Sequence, residues 1–146
     1  MNKLTKTNIH ATCVSINNAG ILLLGKSGSG KSDLALRLIM NKGAKLVADD
    51  RVDIFEQNGK IFASAPKNIK GLLEVRGVGI VNMPAADSVE VKLAVELAAN
   101  LNEVERMPKN LQYQILNHVV PLLKLYPFEA SAADKVVIKL NAVVAF

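Results

Sequence analysis

Residues 25–32 read GKSGSGKS, and Gly25, Gly30, Lys31 and Ser32 occupy every fixed position of the pattern G-x-x-x-x-G-K-[ST]. The run Gly25, Lys26, Ser27, Gly28, Ser29, Gly30, Lys31 and Ser32 can therefore be expected to cradle a phosphate chain. Its small residues let backbone N–H groups curl round phosphate oxygens, and a following helix would add its positive dipole end. Lys31 would reach the β and γ phosphates, and the Ser32 hydroxyl would ligate Mg²⁺. Downstream, Asp49 and Asp50 stand where phosphate-loop proteins place an acid that holds Mg²⁺ directly or through water. The alternation of side chains along a strand would point these two carboxylates in different directions, one to the metal and one to an incoming nucleophile. An Asx turn at a strand end is the plainer reading of the same pair. Glu74, between apolar residues in LLEVRGVGI, could be a further metal ligand, or simply pair with Arg76 on the same strand face. His10, taken alone, reads as a hydrogen-bonded structural histidine.

These groups need elements to hold them. HATCVSI and GILLLG read as two strands around Asn17-Asn18, the second entering the glycine loop. After Lys31 the apolar period changes, and Leu34, Ala35, Leu38 and Ile39 share one helical face, with Gly43 suited to end the helix. KLVADD is an apolar strand finishing on the two acids. RVDIFEQ and KIFASA flank Asn58-Gly59, a hairpin signal, and GLLEVRGVGIVNM supplies more strand broken by glycines. In SVEVKLAVEL, residues Val89, Val91, Leu93, Val95 and Leu97 alternate with Glu90, Lys92, Ala94 and Glu96, the period of a strand with one solvated face. HVVPLLKLYP reads as strand interrupted by Pro121. In SAADKVVIKLNAVVAF, Ser131 and Asp134 stand like a helix-capping pair against β-branched valines, and helix is the preferred reading. The expected fold is α/β with a mixed sheet and few helices, unlike a regular doubly wound nucleotide fold.

Bulk properties bound the partners. The 146 residues suit one domain spanning residues 1–146. No run approaches the roughly 18 apolar residues of a membrane-spanning helix. MNKLTKTNIH lacks the features of a secretory signal, and the single Cys13 can make no internal disulfide, so no membrane association and a cytoplasmic location are expected. The net charge of +5 raises nucleic acid as a partner, but the basic residues are scattered and aromatics make up only 4% of the chain. A stacking surface for single strands is hard to build from that composition, so no nucleic acid is expected.

The ordered set His10, GKSGSGKS, LVADDRVDIF, LLEVRGVGI and VERMP closely resembles the catalytic domain of the bacterial HPr kinase/phosphorylase family, most strongly over residues 8–108. The resemblance implies a phosphate-loop fold like that of phosphoenolpyruvate carboxykinase. It implies a kinase moving the ATP γ-phosphoryl group, with Mg²⁺, onto a serine of HPr, a phosphocarrier protein of the sugar phosphotransferase system. It also implies the reverse reaction, in which inorganic phosphate removes the group and pyrophosphate is released. By the same resemblance Asp50 would accept the serine proton, Ser32 and Glu74 would bind Mg²⁺ with Asp49 in support, and Lys31, His10 and Arg106 would be catalytic. A homo-oligomer, often a hexamer in the family, is implied as well.

The sequence departs from the family pattern in places. Longer members carry an N-terminal domain that these 146 residues do not include. Alanine follows His10 where glycine is usual, and YPFEASAADK stands where longer members carry a basic, glycine-containing loop used in dephosphorylation. Lys135 is the basic residue nearest to a substitute. Kinase activity is thus the firmer implication than phosphorolysis. The form resembles short alphaproteobacterial versions, whose expected partner is an HPr of a nitrogen-related phosphotransferase system. A nucleotide-sensing module without transfer activity and a small-molecule kinase on the same scaffold are the competing readings.

Overall fold

A computed structural model describes residues 5–144 of the chain. Strands β1 (Lys6–His10), β2 (Thr12–Ile16) and β3 (Ala19–Leu24) lead into the glycine loop and helix α1 (Lys31–Lys42). Then come β4 (Lys45–Ala48), β5 (Arg51–Gln57), β6 (Lys60–Ser64), the short pair β7 (Leu72–Val75) and β8 (Gly79–Asn82), and the long β9 (Ser88–Leu97). A 3-10 turn at Leu101–Glu103, strands β10 (Leu111–Ile115) and β11 (His118–Leu125), and helix α2 (Ala132–Val144) complete the described chain.

Nine strands form one mixed sheet in the order β1-β5-β6-β9-β3-β2-β4, with β10 and β11 branching from β9. The branch is possible because β9 has 10 residues. Its first residues pair antiparallel with β6, its last pair parallel with β11, and β3 runs parallel along its other edge. Two buried clusters lie on opposite faces. On one, α1 and α2 cover Ile21, Leu23, Leu93 and Val95 through Leu34, Leu38, Val136 and Leu140. The other contains only strand and strand-end residues, among them Cys13, Leu22, Val47, Ile54, Ala63 and Val91, so the sheet curls to cover it without a helix.

The expected elements around the glycine loop are present, and so is the C-terminal helix. Asn17 and Asn18 both take positive φ (50° and 66°), as do Asn58 and Gly59 (54° and 76°), which is the backbone of a two-residue hairpin that follows the twist of its strands. Gly43 ends α1 at φ 72° and donates its N–H to the Leu38 carbonyl. Two features depart from the sequence reading. A third two-residue hairpin turns at Leu116-Asn117, again with both φ positive, and adds the unanticipated strand β10. In β9 the single solvated face does not hold. The register against β3 slips between Gly20 and Ile21, so Lys92 is an extra residue. Val89 and Val91 therefore enter one core cluster, while Leu93, Val95 and Leu97 enter the other.

Candidate active site

The glycine loop joins β3 to α1. Gly25 allows a close turn, since a Cβ there would stand 2.4 Å from Ser29 Oγ. Gly30 precedes the helix at φ 108°, a left-handed conformation that side chains avoid, and accepts the first helical bond, from Leu34 N–H at 2.9 Å. This geometry leaves the helix N-terminus open to an anion. Lys31 is buried, with 7% exposure, and its Nζ donates to the carbonyls of Gly25 (2.6 Å) and Lys26 (2.9 Å). Two of three ammonium donors thus brace the loop, and the third remains for a ligand. Burial lowers the Lys31 pKa from its ordinary value, and the charges of Asp50 and Asp49 oppose that shift.

The acids are held at the corner between β4 and β5. Arg51 N–H donates to the Asp49 carbonyl at 2.8 Å, and Asp50, between them, has φ 71°. This is a γ-turn of the rare, positive-φ kind. It changes the expectation from strand alternation, because both Asp49 and Asp50 line the same cleft. Their partners still differ. Asp49 Oδ1 accepts from Ser32 Oγ (2.8 Å) and Thr12 Oγ1 (2.9 Å), and Oδ2 accepts from the Glu74 N–H (3.3 Å). Asp50 Oδ1 instead faces His10 Nε2 at 2.9 Å, and its carboxylate stays largely exposed. The backbone of Ala11 donates to the Asp50 carbonyl at 3.2 Å, so the strand carrying His10 also fixes the turn.

The cleft has a volume of about 600 Å³. The loop residues Ser27, Gly28, Gly30, Lys31 and Ser32 form its floor. His10, Thr12 and the two acids line it as well, as do Glu74, Val75 and Arg76 of the β7–β8 hairpin and, from elsewhere, Leu36 and Phe128. Arg76 stands in the hairpin turn beyond β7, so the strand period that would pair it with Glu74 no longer applies. Gly25, Lys26 and Ser29 belong to the loop without lining the cleft. Arg106 is exposed on the segment between β9 and β10 and is not among the lining residues.

The donor set fits Mg²⁺. Among the described residues no three His, Cys, Asp or Glu side chains cluster as an all-protein cage. Mg²⁺ ordinarily takes one or two protein oxygens beside phosphates and water, so none is required. Ser32 gives its hydroxyl hydrogen to Asp49, which leaves the oxygen's lone pairs free for a cation, and Glu74 presents an exposed carboxylate nearby.

Residues 2–143 match the family described as HPr Serine kinase C-terminal domain. The chain belongs to that family. An HPr kinase/phosphorylase of Clostridium tetani is 40% identical over 111 residues, covering 76% of this chain and 36% of that protein. One from Clostridium botulinum (Eklund 17B) is 37% identical over 130 residues, covering 82% and 42%. The chain thus spans less than half the length of these relatives. Among solved structures, the Hpr(Ser) kinase/phosphatase from Coxiella burnetii matches with a TM-score of 0.77 at 26% identity, covering 91% of this chain and 86% of that one. The α/β phosphate-loop fold with a curled mixed sheet and two helices agrees with membership of the HPr kinase family.

Thr12 and Phe128 are among the cleft residues that escaped the sequence reading. Thr12 is fully buried and bonds Asp49, and a hydroxyl inside the apolar run HATCVSI was the available signal. Phe128 is 58% exposed at the cleft, and its signal was an aromatic cluster, YPF, in a chain poor in aromatics.

Proposed function

We propose that this domain is an ATP- and Mg²⁺-dependent serine kinase that transfers the γ-phosphoryl group to a serine of an HPr-type phosphocarrier protein, in the cytoplasm, as part of phosphotransferase-system regulation. The observation that carries the reading is the Asp50 carboxylate, braced by His10 at 2.9 Å and exposed in the cleft that the phosphate loop floors. A proton acceptor in that place has a use only if a hydroxyl comes to the phosphate chain.

In the forward direction the serine Oγ–H proton passes to Asp50. The oxygen bonds the γ-phosphorus, the bond to the β–γ bridging oxygen breaks, and ADP leaves. In reverse, Asp50 returns the proton to the seryl oxygen while inorganic phosphate takes the phosphoryl group and becomes pyrophosphate. Lys31 meets charge on the β and γ phosphates, and the loop amides meet the rest. Ser32 and Glu74 would hold Mg²⁺, with Asp49 fixing Ser32. Held by those residues, Mg²⁺ would supply charge neutralisation to the phosphate chain. Arg106 lies outside the cleft, so a catalytic role for it requires its segment to close over substrate or a second copy to supply it. A homo-oligomer, hexameric in the fullest form, suits the second route.

Incubation with labelled ATP and purified HPr tests the proposal, and label on a serine is expected. Removing a general base costs about 10²- to 10⁴-fold in rate, so Asp50→Asn should bind ATP normally and lose most transfer. Transfer at the ordinary rate by that variant would refute the role of Asp50. Nucleotide binding with unlabelled HPr would favour a sensor, and ADP release dependent on a metabolite would favour a small-molecule kinase.

A further inference from the structure

We infer that Phe128 is the stacking platform for the nucleobase of the bound nucleotide. The inference rests on the phosphate-loop reading above and extends the site beyond the loop.

The sheet order gives the direction. β3 feeds the glycine loop, and its two neighbours are β2 and β9. On the β2 side lies β4, whose end runs into the Asp49–Asp50 corner; Thr12 opens β2, and His10 meets that corner at Asp50. On the β9 side lies β11, whose end runs directly into Tyr126, Pro127 and Phe128. A nucleotide with its reacting end beside Asp49 and Asp50 therefore extends its nucleoside end toward the β11 side. Phe128 lines the cleft there, and it is the one exposed large hydrophobic residue among the described residues that does so.

The ring is placed, not loose. Its Cζ would be 3.1 Å from a Cβ on Gly30, so it lies close against the start of α1. Tyr126 meets it edge to face, with centroids 5.7 Å apart. Pro127 is buried, and its carbonyl accepts from Arg37 Nη2 of α1 at 2.6 Å. Lys135 Nζ donates to Glu129 Oε1 at 2.6 Å on the far side of the loop. A large apolar ring held in water by bonds on both flanks gains nothing from folding by its exposure. A purine face laid on it would cover it and find the ring already positioned.

The test compares ATP with inorganic tripolyphosphate, each with Mg²⁺, by calorimetric titration. Phe128→Ala should weaken ATP about tenfold to a hundredfold, the usual worth of a base–aromatic stack, and leave tripolyphosphate unchanged. Phe128→Trp adds the chain's only tryptophan, should keep ATP affinity, and should be quenched by ATP but not by tripolyphosphate. Equal loss of both ligands in Phe128→Ala, no loss of either, or a tryptophan blind to ATP would each overturn the inference. So would a defect confined to the KM for HPr. A wild-type protein that binds neither ligand would overturn the phosphate-loop reading and the platform together. Selective loss of ATP in a protein that never labels HPr would uphold the platform while the kinase reading fell.

Discussion

Thr12 offers the sharpest test of how the site is held, because Thr12→Val removes one hydroxyl and keeps the shape. The Thr12 side chain is fully buried, and its Oγ1 shares Asp49 Oδ1 with the Ser32 hydroxyl. A hydrogen bond to a charged group contributes about 1.5–3 kcal/mol, and its loss leaves a part-buried carboxylate short of one donor. The valine methyl returns something on the order of 0.8 kcal/mol by apolar burial. The net loss is about 1–2 kcal/mol, which for a domain of this size lowers Tm by roughly 3–6 °C. The second consequence is chemical. Asp49 orients Ser32, so loosening it should weaken the apparent Mg²⁺ affinity in the transfer assay by about 10- to 100-fold, as for partners that orient a metal ligand elsewhere. Affinity for metal-free tripolyphosphate should hold, because the loop and Lys31 are untouched. Thermal denaturation followed by circular dichroism and a Mg²⁺ titration of activity give both readouts, and Thr12→Ser should restore both. A Thr12→Val protein with wild-type Tm and wild-type Mg²⁺ dependence would refute the reasoning.

Further outcomes follow from three particular residues. Asp50 sits at φ 71°, a left-handed conformation costing most side chains about 1–2 kcal/mol, so Asp50→Ala should be less stable in urea than Asp50→Gly by about that amount. Equal stabilities would mean that the turn relaxes. Burial pushes the Cys13 thiol up to about 12 from its ordinary 9.0, so native protein should resist thiol reagents at pH 8 and react once unfolded in urea. The unfolded thiol ionises first, so Cys13 makes stability fall as pH rises from about 9 towards about 12, and a Cys13→Ala protein should lack that component of the slope. Burial lowers the Lys31 pKa, so tripolyphosphate affinity of the wild type should begin to decline at a pH below the ordinary lysine value of 10.5, as the free ammonium deprotonates.

What could be seen in advance was whatever chemistry confines to few residue types. A tight turn round phosphates demands glycine at Gly25 and Gly30, and a two-residue hairpin demands residues that accept positive φ, so GKSGSGKS, Asn17-Asn18 and Asn58-Gly59 were legible. The turn at Leu116-Asn117 uses the same backbone, but leucine at φ 48° signals nothing of the kind, and β10 went unseen with it. The bulge in β9 was hidden for another reason. Inserting Lys92 leaves the apolar spacing Val91, Leu93 intact in the sequence while turning the two side chains to opposite faces. Phe128 was out of sight because only the sheet order brings the end of β11 beside the start of α1.

The acids show most clearly how local strain and site chemistry are linked. Two successive residues of a regular strand cannot both face one cleft, yet Asp49 and Asp50 both do. The positive-φ γ-turn is what permits it, a rare and strained backbone conformation. Once they share the cleft, like charge would make the pair costly if both sought the same partners. The turn separates their bonding: Asp49 is spent on Ser32, Thr12 and the Glu74 amide, while Asp50 keeps one contact, His10, and open space. Proton transfer needs a carboxylate with a free oxygen and an approach for a hydroxyl, and Asp49, with both oxygens engaged, offers less of either than the exposed Asp50. The division of labour between the two acids therefore comes from the backbone of one residue, and the strained position is the one on which the proposed chemistry depends.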